Sequence, residues 1–159
     1  MNIPDQEAQS SPMKLTLRTY YAILALTSMT EEDTAEERWH RIEEIAKQRG
    51  ISESFLLQVF QDLKKSGLVH SKRGANGGYV LNRPAESITL AEIIESVEGP
   101  ILPCPVEDRG NGNRHPISWR GLDRVWEDLR NQVREVAEKH TLDVVAKRLN
   151  SEDSQMYYI

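Results

Sequence analysis

One cysteine, Cys104, stands in 159 residues. A single thiol excludes an intrachain disulfide and fits a reducing compartment. Nowhere do about 18 apolar residues run together, so no membrane span is expected. Met1 to Pro12 is polar and acidic. It lacks the basic start and apolar stretch of a secretory signal, so a flexible extension on a cytoplasmic protein is expected. The motifs of common enzymes are missing too. There is no nucleophile turn with a Ser/His/Asp order, no phosphate loop and no metal-binding helix pattern; Asn76-Gly77-Gly78 is too short a glycine run to count. His40, His70 and His140 have no metal-site spacing. No enzyme is expected. Nor is there a surplus of positive charge: the net charge is −5, which by itself argues against a nucleic-acid partner.

The distribution of charge reads differently from its total. Between Arg41 and Arg83 eight basic residues face four acidic ones, leaving +4 there and −9 elsewhere. The same stretch carries the clearest pattern. Leu15, Ala22, Ile23, Leu26 and Met29 recur at helical spacing and predict a first helix over Met13 to Met29. An acidic run, Glu31 to Glu37, reads as a solvated connection or an extra helical turn. Ile42, Ile45 and Ala46 suit a short helix stopped at Gly50. Ser52 is placed to cap the next helix, with Ile51 and Leu56 as a hydrophobic staple; Leu56, Val59, Phe60 and Leu63 form its inward stripe, and Gly67 ends it. Two short helices around a tight turn make a helix-turn-helix pattern.

After Gly67 the period changes. Leu68 to Lys72 and Tyr79 to Asn82 read as strands around Arg73-Gly74-Ala75-Asn76-Gly77-Gly78, a turn rich in residues that tolerate positive φ, with Pro84 beyond. A hairpin in this place is a wing. Thr89 to Glu92 is a capping box, Ile88 and Ile93 are its staple, and Leu90, Ile93, Ile94 and Val97 give the following helix one apolar side, ended by Gly99-Pro100. Residues 100–116 show no period, and loops this long are functional or disordered. Leu122, Val125, Leu129, Val133 and Val136 then form a seam with Trp126 beside it, flanked by charges. Thr141 caps a short last helix bearing Leu142, Val145 and Leu149, followed by a polar end.

The fold expected is therefore mainly α with a small β-hairpin: a winged helix-turn-helix over 13–99, an effector or sensor loop over 100–116, a dimerisation helix and terminal helix over 117–150, and mobile ends at 1–12 and 151–159. A helix lying in a major groove reads bases with short polar side chains near its N-terminus. Ser52, Ser54 and Gln58 fit that role, and Phe55 could touch a thymine methyl. Lys64 and Lys65 suit phosphates. Arg73 could enter a narrow minor groove, while Gly74, Asn76 and Gly77 of the turn let backbone come close to phosphate. Each has a plainer reading: Ser52 as a cap only, Phe55 as core, the glycines as hairpin formers. The partners expected are duplex DNA and a second copy of the chain.

These residues also resemble a family. Met13 to Ala22, Ile45-Ala46, Ile51 to Leu56, Lys65 to Val69, Arg73 to Leu81 and Ile88-Thr89 to Gly99 are similar to the IscR/NsrR/CymR-type (Rrf2-type) winged helix-turn-helix transcriptional regulators, and the similarity runs from Met13 to about Arg148. The resemblance implies a long helix crossing a homodimer and a pseudo-palindromic operator, with base reading by Ser52, Ser54 and Gln58 and a wing arginine at Arg73. Leu57 stands where some relatives carry a glutamate that helps select sequence, which implies a different operator. The usual family start aligns with Met13.

Many relatives hold an iron–sulfur cluster through three cysteines in the loop after the Thr89 helix. Here that loop has Cys104 alone, with Glu107, Asp108 and His115 as further donors, which falls short of a usual thiolate ligand set. No cofactor is expected; an iron–sulfur cluster on a non-standard ligand set is the alternative. Cys104 could serve instead as a redox sensor, its pKa lowered by Arg109 or Arg114, or it could be a packed residue. His115 is likewise a ligand or a surface histidine. A repressor responding through 100–116 to a thiol change, a small molecule or a protein partner is the reading that follows, cluster-free CymR-like relatives using a partner enzyme. A winged-helix module that binds only protein is the other.

Overall fold

The computed structural model describes residues 15–30, 39–103 and 117–156, with the backbone alone for 117–120 and 152–156. The elements in order are helix α1 (Leu17–Ser28), α2 (Ile42–Arg49), α3 (Glu53–Lys65), strands β1 (Val69–Lys72) and β2 (Gly78–Leu81), a 3-10 turn (Ala85–Ser87), then α4 (Leu90–Glu98), α5 (Ile117–Glu138) and α6 (Leu142–Met156). This is the mainly helical, hairpin-winged architecture that the periodicity predicts.

The core forms where helix stripes meet. Leu26 of α1, Leu56, Val59, Phe60 and Leu63 of α3, Ile93 of α4 and Leu142 of α6 are fully buried. Each such side chain contributes about 1.5–3 kcal/mol by leaving water. The stripe foreseen for α3 is thus the one the core uses. Phe60 also reaches the hairpin, meeting Tyr79 edge-on at 4.8 Å between ring centroids. That contact seats the wing on the same core as the helices.

Local chemistry sets the ends. After α2, Gly50 takes the left-handed conformation at φ 64°, and the Ile51 N–H returns to the Ala46 carbonyl at 3.0 Å. After α3, the Gly67 N–H bonds the Lys64 carbonyl and the Leu68 N–H the Leu63 carbonyl, a Schellman closure with Gly67 at φ 74°. Thr89 and Glu92 form both halves of the expected capping box at α4. A pair of backbone bonds ties that corner to the far end of the chain: Leu90 N–H to His140 carbonyl and Leu142 N–H to Ile88 carbonyl, each 2.8 Å. In this way α6 returns to the domain.

Three expectations need correction. The first helix begins at Leu17, because the Thr16 hydroxyl accepts from the Arg18 N–H and caps it there; Leu15 lies before the helix and is exposed. Ser52 occupies the cap position of α3 without bonding the helix: its hydroxyl lies 3.0 Å from that of Ser54. The last helix runs on to Met156, so residues 151–156 are helical rather than part of a tail. The acidic run Glu31 to Glu37 and the extension Met1 to Pro12 lie outside the described residues.

Candidate nucleic-acid interface

Helix α3 has two unlike sides. Its inner side is the buried stripe. Its outer side exposes Ser54, Gln58 and Gln61, with Ser52 at the entrance. Ser54 and Gln58 are four residues apart and so lie on one face, one turn above the other. The first N–H groups of a helix lack intrahelical partners and carry the positive end of its dipole. The entrance therefore offers hydroxyls, an amide and free N–H donors together, a set suited to base edges and phosphates. Phe55 is half-buried and meets Tyr21 edge-on at 5.7 Å, which holds α3 against α1. Leu57 is 39% exposed beside this face, and there it offers only apolar contact.

The wing stands at the other end of α3. Its strands pair antiparallel, Val69 opposite Leu81 and Lys72 opposite Gly78. Lys64, in the last turn of α3, donates to the Ser71 hydroxyl at 2.7 Å, so helix and wing are joined by side chains as well as by chain continuity. Lys65 pairs with Asp62 at 3.2 Å, and Asp62 also accepts from Arg18 of α1. Both lysines are exposed, and an ammonium has three donors, so each keeps hydrogens for a phosphate. Arg73, Gly74 and Asn76 are exposed at the hairpin turn, while Gly77 is buried beneath it. The Gly77 N–H closes the turn on the Gly74 carbonyl at 3.0 Å. The candidate readers thus stand at the start of α3, and the candidate phosphate ligands stand at its end and on the wing joined to it.

Three residues of this region escape sequence reasoning. His40 forms an isolated antiparallel bridge to Tyr79, adding a third segment to the wing. Trp39 meets the His70 ring edge-on at 5.2 Å, and Arg41 donates to the Ala75 carbonyl within the turn. A bridge of one residue has no period, so alternation gives no sign of it. The only available signal is a tryptophan at the end of an otherwise polar run.

Helix α5 presents the other candidate surface. Leu122, Val125, Leu129 and Val136 are 62%, 54%, 44% and 58% exposed, and Val133 is half-buried. A row of large apolar side chains left open on one helix marks an interaction surface. Trp126 is engaged within its own chain: its indole N–H donates to the Pro103 carbonyl at 3.3 Å, one residue before Cys104. Arg130 likewise donates from Nε to the Leu102 carbonyl at 3.0 Å. Leu102 has φ 50°, a left-handed conformation unusual for a branched side chain. Leu102 and Pro103, the last described residues before 117, are therefore pinned to α5. Cys104 and His115 themselves lie outside the described residues.

Among the described residues no group of three or more His, Cys, Asp or Glu side chains could hold a metal ion, and no helix is long and apolar enough to cross a membrane. The donor set also fails an ordinary iron–sulfur cluster on chemical grounds. Such clusters take about four ligands, mostly thiolates, and this chain supplies one cysteine.

A family model described as "Rrf2: Iron-dependent Transcriptional regulator" matches residues 15–148. The chain is 32% identical over 149 residues to the HTH-type transcriptional regulator CymR of Bacillus subtilis, covering 92% of this chain and 100% of that protein. It is 34% identical over 122 residues to the HTH-type transcriptional regulator IscR of Cereibacter sphaeroides, covering 76% and 79%. Among solved structures, CymR, the global cysteine regulator of B. subtilis, aligns with a TM-score of 0.60 at 32% identity over 86% of this chain and 98% of that one. The IscR structure from T. potens aligns with a TM-score of 0.61 at 29% identity over 92% and 97%.

Proposed function

The chain belongs to the Rrf2 family, whose members are transcriptional regulators rather than enzymes, and we propose that it is a homodimeric, sequence-specific repressor acting on a pseudo-palindromic operator. One observation carries the reading: Ser52, Ser54 and Gln58 are exposed at the start of the same helix whose last turn is joined to the Arg73-bearing wing by the Lys64–Ser71 hydrogen bond. Ser52, Ser54 and Gln58 read bases, Gln58 by the bidentate pairing an amide can make with adenine. Lys64, Lys65 and the exposed turn residues Arg73 to Asn76 hold phosphates, with Arg73 directed to the minor groove and the buried Gly77 only shaping the turn. Phe55 serves chiefly to seat the helix.

The exposed apolar seam of α5 joins two copies, so that two such surfaces face successive turns of one duplex face. Repression then follows from occupancy of the operator. The signal enters through 100–116, whose first residues are pinned to α5 by Trp126 and Arg130. A change in that segment alters the helix that sets the distance between wings. The trigger is a thiol reaction at Cys104, a small ligand or a protein partner; one thiol per chain disfavours a cluster.

Selection of bound duplexes from a randomised pool tests the core of this reading. The wild type should enrich a palindrome, Gln58→Ala should relax choice at one base position in each half-site, and Arg73→Ala should weaken binding across sequences. Equal, sequence-independent losses from both variants would sink the assignment of roles.

A further inference from the structure

The wing is held on both of its faces. On one, Ser71 is tied to Lys64 of the recognition helix. On the other, His70 and Lys72, which share a face by strand alternation, both meet Trp39. The His70 and Trp39 rings are 5.2 Å apart and edge-on, and the Lys72 ammonium sits 5.7 Å from the centre of the indole ring. The next residue, His40, exchanges two backbone bonds with Tyr79, 2.9 Å and 2.8 Å. The one after it, Arg41, donates to the Ala75 carbonyl inside the turn that carries Arg73. Gly78 makes the approach possible, for a Cβ there would lie 2.5 Å from the His40 carbonyl oxygen.

We propose that Trp39 and Arg41 are positioning residues for DNA binding, bracing the hairpin so that Arg73 is held at a fixed height against the duplex. The proposal rests on the DNA-binding reading above. Two four-residue strands make a marginal hairpin by themselves. An unbraced tip would have to be ordered on contact with DNA, and that ordering subtracts from affinity. Trp39 places the ordering in the folded protein by stacking under the Lys72 cation, and Arg41 does so by gripping a turn carbonyl. Neither needs to touch the duplex.

Trp39→Ala and Arg41→Ala, each alone and each combined with Arg73→Ala, test this against the duplex enriched by the wild type. Hydrogen exchange on the free proteins runs alongside. Each single change should weaken binding about threefold to tenfold. In the Arg73→Ala background the same changes should cost less than about twofold, because the side chain they position is gone. Exchange at the hairpin amides, that of Tyr79 included, should quicken while the amides of α3 keep their rates. Equal losses in both backgrounds would overturn the proposal, since a general fold defect adds where a positioning defect does not. So would unchanged hairpin exchange, which requires no DNA. A wild type that enriches no duplex would refute the operator reading instead, and the exchange rates would still judge the brace.

Discussion

Single residues decide whether the wing can exist. At Gly77 a Cβ would stand 2.2 Å from the Lys72 carbonyl oxygen, a backbone atom that cannot yield without opening the turn. Gly77→Ala should therefore destabilise the fold by about 1–3 kcal/mol, measured by chemical denaturation, and should weaken DNA binding more than its stability loss explains. A Gly77→Ala protein with wild-type stability and affinity would show that the turn is softer than its geometry implies. Glu92 works in the first turn of α4. Burial pushes its carboxyl up, but the Thr89 N–H, the Arg83 guanidinium and the Thr89 hydroxyl together outweigh that and hold it below the usual carboxylate range. A depressed folded-state pKa stabilises the protein above the unfolded value, about 4.3 for glutamate, and this contribution is lost as pH falls through the folded value. Melting temperatures taken from about pH 6 down to about pH 3 should thus fall more steeply for the wild type than for Glu92→Gln. The difference is modest, because Arg83 and Glu92 are each about a third exposed. Parallel curves would remove Glu92 from the acid response. At this scale the sequence was legible where chemistry is local, as in the Thr89 and Glu92 box. It was misleading at Ser52, whose hydroxyl has a competing partner in Ser54.

Elements were legible in proportion to their amphipathicity. Helix α3 declares itself by its 3.6 period and the hairpin by its glycine-rich turn between two short runs, and both stand where expected. The end of α6 does not, because 151–156 is polar; a helix once nucleated adds turns at small cost, without an apolar stripe to announce them. The bridge at His40 is one residue long and has no pattern at all. Helix α5 was visible as a seam, and its spacing says more. From Leu122 the apolar positions fall at Val125, Leu129, Val133 and Val136, steps of three, four, four and three. That series reads the same in both directions about Leu129. Two copies crossing antiparallel at Leu129 would set Leu122 against the partner copy's equivalent of Val136 and Val125 against that of Val133, the self-complementary arrangement a two-fold requires. Leu129→Glu would bring two carboxylates together at the crossing point, with no compensating charge on the seam. The expected outcome is a monomer by sedimentation at micromolar protein, with the far-ultraviolet dichroism of a folded chain. A dimer that persists would place the interface elsewhere.

For the molecule as a whole, the question is how a protein of net charge −5 binds a polyanion. Segregation of charge answers it. The segment from Arg41 to Arg83 is positive while the remainder is negative, and the cations Lys64, Lys65, Lys72 and Arg73 are exposed around one helix and its wing. Screening shortens the reach of the distant acidic groups to about 8 Å at physiological ionic strength, so the duplex meets the local sign. Affinity should then fall steeply with salt, each phosphate neutralised contributing a slope of about −0.9 in log K against log salt concentration. Arg73→Ala should reduce the magnitude of that slope by about one for each half-site engaged. Gln58→Ala should lower affinity at every salt concentration and leave the slope unchanged, since an amide releases no counterion. The pair of slopes, read by fluorescence anisotropy on one selected duplex, separates phosphate binding from base reading without a structure of the complex. If Arg73→Ala leaves the slope intact, the wing does not reach the backbone or the minor groove, and the charge of the segment serves long-range attraction alone.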